Sequence, residues 1–154
     1  MSVLLPLHVV VSFVALAAGI GLAAGLLGTP PRHGAGPFFL WTTILTSLTG
    51  FVLPADRILP SHVVGAISLV LLALAAWAWY GRRLAGGSRR IWVVTTLASF
   101  YLNVFVLVVQ AFLKVPALHA LAPTQGEPPF AIAQGAVLLG FVALTVVALR
   151  RPAA

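Results

Sequence analysis

Five long apolar runs, separated by short breaks, constrain this chain more than any other feature of its sequence. A helix needs about 20 predominantly apolar residues to cross a bilayer, with a range of roughly 17–25. Hydrophobic residues make up 61% of the chain and charged residues 7%, whereas a soluble domain is about half apolar and a quarter charged. We therefore predict an all-α membrane protein with five transmembrane helices in a single domain, residues 1–154. The predicted spans are about 3–27, 37–54, 60–80, 91–113 and 130–149.

The distribution of basic residues predicts how these spans are oriented. Cytoplasmic loops of membrane proteins carry an excess of Lys and Arg. With five spans, Arg57 and Lys114 fall on one side of the membrane and seven arginines on the other. This predicts an N-terminus outside and a C-terminus in the cytoplasm. The seven arginines are Arg32, Arg82, Arg83, Arg89, Arg90, Arg150 and Arg151.

A six-residue word occurs twice, as LPLHVV at 5–10 and LPSHVV at 59–64. Both copies begin an outside-to-inside span, so His8 and His62 are predicted at equivalent depths near the outer face. A second pair of similar segments follows, WTTILTS at 41–47 and WVVTTLAS at 92–99. Parallel repeats of this kind are related by an axis along the membrane normal. We therefore predict a duplicated helical hairpin, spans 1–2 and spans 3–4, followed by a fifth helix.

The spacing of small residues predicts where the two histidines point. In membranes, faces of small residues pack against other helices while large apolar residues face lipid. Each histidine shares a helical face with small residues, so both are predicted to point into the bundle. The two faces are His8, Ser12, Ala15, Gly19 and Ala23 on span 1, and His62, Gly65, Ala66, Leu69, Ala73 and Ala76 on span 3.

Two inward imidazoles at one depth match the axial ligands of a six-coordinate haem b. We predict that His8 and His62 bind the haem iron, and that Arg57 and Lys114 pair with the haem propionates. Three other interpretations remain open for the same histidines. They are a zinc or copper site, a pair of proton carriers, and interfacial histidines without a ligand.

Two further groups of polar residues are candidates for a role at the site. Thr96, Ser99, Asn103 and Gln110 form a polar stripe on span 4, which indicates either hydrogen bonds between helices or a polar path through the bundle. The loop 114–129 contains His119 and Glu127 and is predicted to lie along the outer surface as a short helix, capping the histidine site.

The composition excludes several classes of site. The chain contains no cysteine, so it cannot hold a disulfide, an iron–sulfur cluster, a thiolate metal site or a covalently attached haem. The basic residues lie in short loops without a long basic face, which does not indicate nucleic-acid binding. No arrangement of nucleophile, base and acid is evident, and enzymatic activity stays open.

Two segments resemble known membrane proteins. LHVVVSFVALAAGIGLAAGLL at 7–27 resembles the first span of small bacterial membrane protein families that begin Leu-His. NVFVLVVQAFLKVPALHALAPTQGEPPF at 103–130 resembles segments of uncharacterised bacterial membrane proteins. These resemblances imply a bacterial inner membrane location and no particular activity. The paired histidines on parallel spans are also similar to the layout of small b-type membrane cytochromes, an architectural analogy.

The sequence favours a haem-binding membrane protein that serves electron transfer, quinone-linked redox chemistry or the assembly of a respiratory complex. The alternative is a non-redox protein, either a small-solute or proton-linked transporter or a structural accessory subunit of a membrane complex. The expected partners are the lipid bilayer and either another membrane subunit or further copies of this chain.

Overall fold

The computed structural model describes residues 3–28, 34–53 and 60–151, and this part of the chain forms helices and turns without a strand. Helix α3 ends in a π-helical turn, Trp77–Gly81, and α5 is a short helix between two long ones. The six α-helices of the described residues are α1 Leu4–Leu27, α2 Gly36–Val52, α3 Pro60–Ala76, α4 Ser88–Lys114, α5 Pro116–Leu121 and α6 Pro128–Arg150.

In the part of the chain that the structure describes, four helices are long and apolar enough to cross a membrane. They are α1, α3 together with its π-helical turn, α4 and α6. Helix α2 is also apolar but has 17 residues, the lower end of the range that spans a bilayer. The described fold is therefore all-α and compatible with an integral, multi-pass membrane protein. The fifth span and the duplicated hairpin stay predictions.

Helices α1 to α4 surround a common centre. Helix α2 packs between α1 and α3, and α4 packs against both α1 and α3; α6 lies on the outside of α4 and touches α1. The core at this centre is formed by large side chains such as Phe39, Leu72, Trp92, Leu97 and Phe100. The histidine-bearing helices α1 and α3 therefore lie on opposite sides of a four-helix arrangement.

The predicted inward face is correct for α1 and partly wrong for α3. On α1, Ala15 and Gly19 are buried. On α3, Ala66 and Ala73 are exposed, and the buried positions are Ser68, Leu72 and Ala75, followed by Ala78 in the π-helical turn. A shift of one residue turns a helix by about 100°. Small residues occur around most of α3, so contact with α2 and α4 decided which face is buried.

Two arginines cap helix ends at the end of the bundle where α1 and α6 finish. The Arg89 guanidinium donates to the carbonyl of Ala148 in the last turn of α6 (3.4 Å), and that of Arg151 donates to the carbonyl of Gly28, just after α1 (3.2 Å). The last carbonyls of a helix have no partner within it, and a cation near them interacts favourably with the helix dipole. Both arginines therefore stabilise the bundle.

Gly19 provides a test of the packing between α1 and α4. A Cβ atom on Gly19 would overlap the ring of Phe100, whereas a Cβ on Gly135 of α6 would meet nothing within 4 Å. We expect Gly19→Ala to lower the free energy of unfolding by about 1–3 kcal/mol because the buried ring has to move. Thermal unfolding in detergent measures this, with Gly135→Ala as the control; equal midpoints for both variants would contradict the packing.

Candidate functional site

A cavity of about 800 Å³ opens between α1, α2, α3 and α4. It lies at the end of the bundle where α1 and α3 begin and α2 and α4 finish, which we call the His end. Sites for small molecules are mostly apolar cavities of roughly 300–1,000 Å³ with a few polar groups, and this cavity fits that description. We call it the His cavity, because His8 and His62 are both in its lining.

The apolar part of the lining comes from all four helices. It includes Leu5, Val9, Phe13, Phe51, Val64, Leu102, Val106 and Leu107. Among these side chains stand isolated hydroxyl, amide and ammonium groups rather than a continuous polar surface. The cavity therefore suits an apolar ligand that carries a small number of polar groups.

His8 is held by a side chain of α2. Its Nδ1 lies 2.9 Å from the Thr49 hydroxyl oxygen, and that hydroxyl also lies 2.8 Å from the carbonyl oxygen of Leu45. A threonine hydroxyl has one proton, which we assign to the bond with the Leu45 carbonyl, as is usual for threonine in a helix. The Thr49 oxygen then accepts the proton of Nδ1–H. In the neutral ring this leaves Nε2 with the lone pair.

The ring of His62 packs against the same turn of α2. It stacks on Phe51 with a centroid separation of 5.7 Å and an interplanar angle of 14°. Between Thr49 and Phe51 lies Gly50, where a Cβ atom would approach Cε1 of His8 to 3.3 Å. The two imidazoles are thus positioned by three consecutive residues, 49–51, of the helix between α1 and α3.

The predicted polar stripe on α4 divides into two parts. Thr96 and Ser99 are fully buried and donate to the carbonyls of Trp92 and Thr95 (2.6 and 2.8 Å). They act within their own helix and do not line the cavity. Asn103 and Gln110 are half-buried and do line it.

The remaining amide and ammonium groups keep hydrogen-bonding capacity inside the cavity. The Asn103 side chain uses one N–H on the Thr43 hydroxyl (3.3 Å) and keeps a second N–H and its carbonyl oxygen. Lys114, predicted to bind propionates, is exposed and belongs to the lining. Arg57, predicted for the same role, lies outside the described residues.

Ser68 was not among the site residues predicted from the sequence. This residue lines the cavity and is 2% exposed, and its hydroxyl has no hydrogen-bond partner among the described residues. A buried hydroxyl without a partner costs about 1–3 kcal/mol. The sequence offered one signal, a lone polar residue within the apolar run of α3.

The loop after α4 forms the short helix that was predicted, α5, and no residue of α5 lines the cavity. His119 of α5 lies with Nδ1 3.2 Å from the carbonyl oxygen of Phe112, and donates to it as the Nδ1–H tautomer. The cavity lining ends at Val115 and includes neither His119 nor Glu127. The described residues also contain no group of three His, Cys, Asp or Glu side chains that could hold a metal ion.

Glu127 closes the turn that precedes α6. Its carboxylate accepts hydrogen bonds from the Thr124 hydroxyl (2.8 Å), the Thr124 amide (3.2 Å) and the Gly126 amide (3.1 Å). Desolvation raises the pKa of Glu127, but these hydrogen bonds lower the pKa by more, so it lies below its ordinary value. The stabilisation from this carboxylate is therefore present above its unfolded-state pKa and is lost as the pH falls through the lowered pKa.

Comparisons of the chain with protein-family models, with characterised proteins and with solved structures give no match.

The hydrogen bond between Thr49 and His8 predicts one tautomer of the ring. In the ¹⁵N NMR spectrum of the side-chain nitrogens we expect His8 of the neutral protein to be protonated at Nδ1. Thr49→Val removes the acceptor at similar volume and should populate the other tautomer, while Thr49→Ser should preserve the wild-type spectrum. Thr46→Val is the matched control, because the Thr46 hydroxyl bonds within α2. A wild-type ring protonated at Nε2 would contradict the assignment.

Proposed function

We propose that this chain is a multi-pass membrane protein whose His cavity binds haem b, with His8 and His62 as the axial ligands. The observation that supports this most is that two histidines from two parallel helices line one cavity in an otherwise apolar bundle. Haem bound in this way would supply reversible one-electron transfer. That chemistry serves electron transfer, quinone-linked redox reactions or the assembly of a respiratory complex.

The hydrogen bond to Thr49 suits His8 to this role. A histidine that binds a metal usually donates its other ring N–H to a neighbouring oxygen, which fixes the tautomer and orients the ring. The Thr49 oxygen is such an acceptor for Nδ1–H, and Nε2 is then the nitrogen available to iron. Stacking on Phe51 restricts rotation of the His62 ring in a comparable way.

The lining also suits the two faces and the charged edge of a porphyrin. Apolar side chains of all four helices would contact the ring and exclude water from it. Lys114 would pair with a propionate, and Arg57 remains part of the proposal as a second cation at the same edge. We further propose that α2 is the fifth span, since its 17 residues extend about 25 Å. The N-terminus would then lie outside a bacterial inner membrane.

A second ligand class is favoured by the polar groups beside the histidines. Ser68, Asn103 and Gln110 line the cavity with unused hydrogen-bonding capacity. The methyl and vinyl groups of haem b offer these residues no acceptor, whereas the ring carbonyls of a quinone do. A quinone in the His cavity would keep the redox role without haem.

The alternative of a transporter has less support from the bundle. Of the four polar residues on α4, Thr96 and Ser99 donate to their own helix. A continuous polar path from the His cavity towards the other end of the bundle would lack these two groups.

An absorption spectrum tests the haem proposal. The full chain, expressed in cells that make haem and purified in detergent, should show a Soret band that His8→Ala and His62→Ala abolish. His119→Ala should retain the band, because His119 does not line the cavity. Thr49→Val should weaken haem binding roughly 10–100-fold, as is typical when such a partner is lost. A wild-type protein without a Soret band after haem is supplied would refute the proposal.

Ser68→Ala tests the quinone candidate through two opposite effects. Removing an unpaired buried hydroxyl should raise the thermal midpoint of the ligand-free protein, by about 1 kcal/mol in free energy of unfolding. If that hydroxyl serves the ligand, the same change should weaken binding of decylubiquinone, measured by the midpoint shift on titration. Ser99→Ala is the control, since it removes a satisfied hydroxyl outside the cavity. Absence of any quinone-induced shift in the wild type would exclude this candidate.

A further inference from the structure

Helices α1 and α4 are in close contact midway along the bundle and separate towards the His end. They meet at Gly19 and Phe100, which are both buried, and a Cβ atom on Gly19 would overlap the Phe100 ring. Seven residues are close to two helical turns, so Phe100, Leu107 and Lys114 lie on one face of α4. Phe100 is 6% exposed, Leu107 is 39% exposed, and Lys114 is exposed as well.

The facing side of α1 changes in the same way. Gly19 is buried, Ser12 is half-buried and Leu5 is exposed, and each is two turns from the next. Because α1 and α4 run in opposite directions, Ser12 lies level with Leu107, two turns from the contact on each helix. We call the opening between these faces the α1–α4 slot; its edges are Leu5 and Ser12 on α1 and Leu107 and Lys114 on α4, which all line the His cavity.

The α1–α4 slot connects the cavity with the apolar surface of the bundle. Val9 and Phe13 of α1 and Leu107 of α4 line the cavity and are also exposed, Phe13 by 59%. A side chain that borders both the cavity and the surface lies at an opening. Large apolar residues on the surface of a membrane bundle face lipid. In the membrane placement proposed above, the slot therefore opens sideways to hydrocarbon.

The polar groups of the cavity lie deeper than this apolar opening. The Ser68 hydroxyl on α3 is buried and has no hydrogen-bond partner among the described residues. The Asn103 amide of α4 retains an N–H and its carbonyl oxygen. A ligand with a polar ring and one long apolar tail matches this arrangement, since its ring can bond inside the cavity while its tail stays in the slot.

We propose that the His cavity takes a quinone from the bilayer through the α1–α4 slot. The ring carbonyls accept hydrogen bonds from Ser68 and Asn103, and the apolar tail lies in the slot and continues into the lipid. This inference rests on the quinone candidate of the proposed function, and adds the route of entry and the position of the tail. Only the ring has to leave the hydrocarbon, so a tail of any length can be accommodated.

Two quinones that differ in the tail test the slot. The full chain in phosphatidylcholine nanodiscs is titrated with decylubiquinone, or with the same dimethoxy-methyl-benzoquinone ring without its decyl chain, and the thermal midpoint is followed. Both should bind the wild type. Leu107→Trp and Val9→Trp place a larger side chain in the slot, and each should raise the Kd for decylubiquinone roughly ten-fold. Binding of the tailless ring should stay within about two-fold of the wild type, which also shows that the variants are folded.

Leu113→Trp and Val10→Trp are the matched controls. Both residues are exposed on the same two helices near the same end but do not line the cavity, so these variants should bind decylubiquinone as the wild type does. Equal loss of both quinones in the slot variants, no loss of either, or the same loss in the controls would overturn the slot while leaving the quinone candidate in place. If neither quinone shifts the wild-type midpoint, the quinone candidate itself is refuted, and this inference with it.

Discussion

A polar group inside a bundle of apolar helices has to find its hydrogen-bond partner within the protein, and the rest of this structure depends on that requirement. Hydrocarbon offers no donors or acceptors, so the backbone forms helices that satisfy themselves. The hydroxyls follow the same rule: Thr42, Thr46, Thr95, Thr96, Ser99 and Thr145 each donate to a carbonyl one turn earlier in the same helix. These residues look like a polar interior in the sequence, but their hydrogens are already used.

The groups that retain capacity therefore carry more information than the polar residues as a whole. Nε2 of His8, the Ser68 hydroxyl, part of the Asn103 amide and the Gln110 side chain all border one cavity. Two other buried groups of the described residues, Trp92 Nε1 and Gln134 Oε1, also have no hydrogen-bond partner and lie outside this cavity. The unpartnered polar groups are therefore not all at the cavity. The largest group of them nevertheless borders the cavity that His8 and His62 line, and this supports the proposal of a ligand site.

The two ends of the bundle use charge for different purposes. At the end where α1 and α6 finish, Arg89 and Arg151 satisfy helix carbonyls and connect α4 to α6 and α6 to α1, while the other four arginines of the described residues are exposed. At the His end, Glu127 satisfies the amides of the turn that leads into α6. Because α4 extends from one end to the other, its first turn bonds to α6 through Arg89 and its second half lines the His cavity.

The apolar runs determined the helices by themselves. The predicted spans 3–27 and 91–113 correspond to Leu4–Leu27 and Ser88–Lys114, because run length and the Gly, Pro and Arg breaks define where a helix can begin and end. The shared lining by His8 and His62 followed from their equal position in two parallel helices. The inward face of α3, the split of the α4 stripe and the role of Thr49 were decided only by tertiary structure. A helix rich in small residues can bury any of several faces, and only its neighbours select one; a hydroxyl can bond to its own backbone or to another helix, and only the packed bundle shows which.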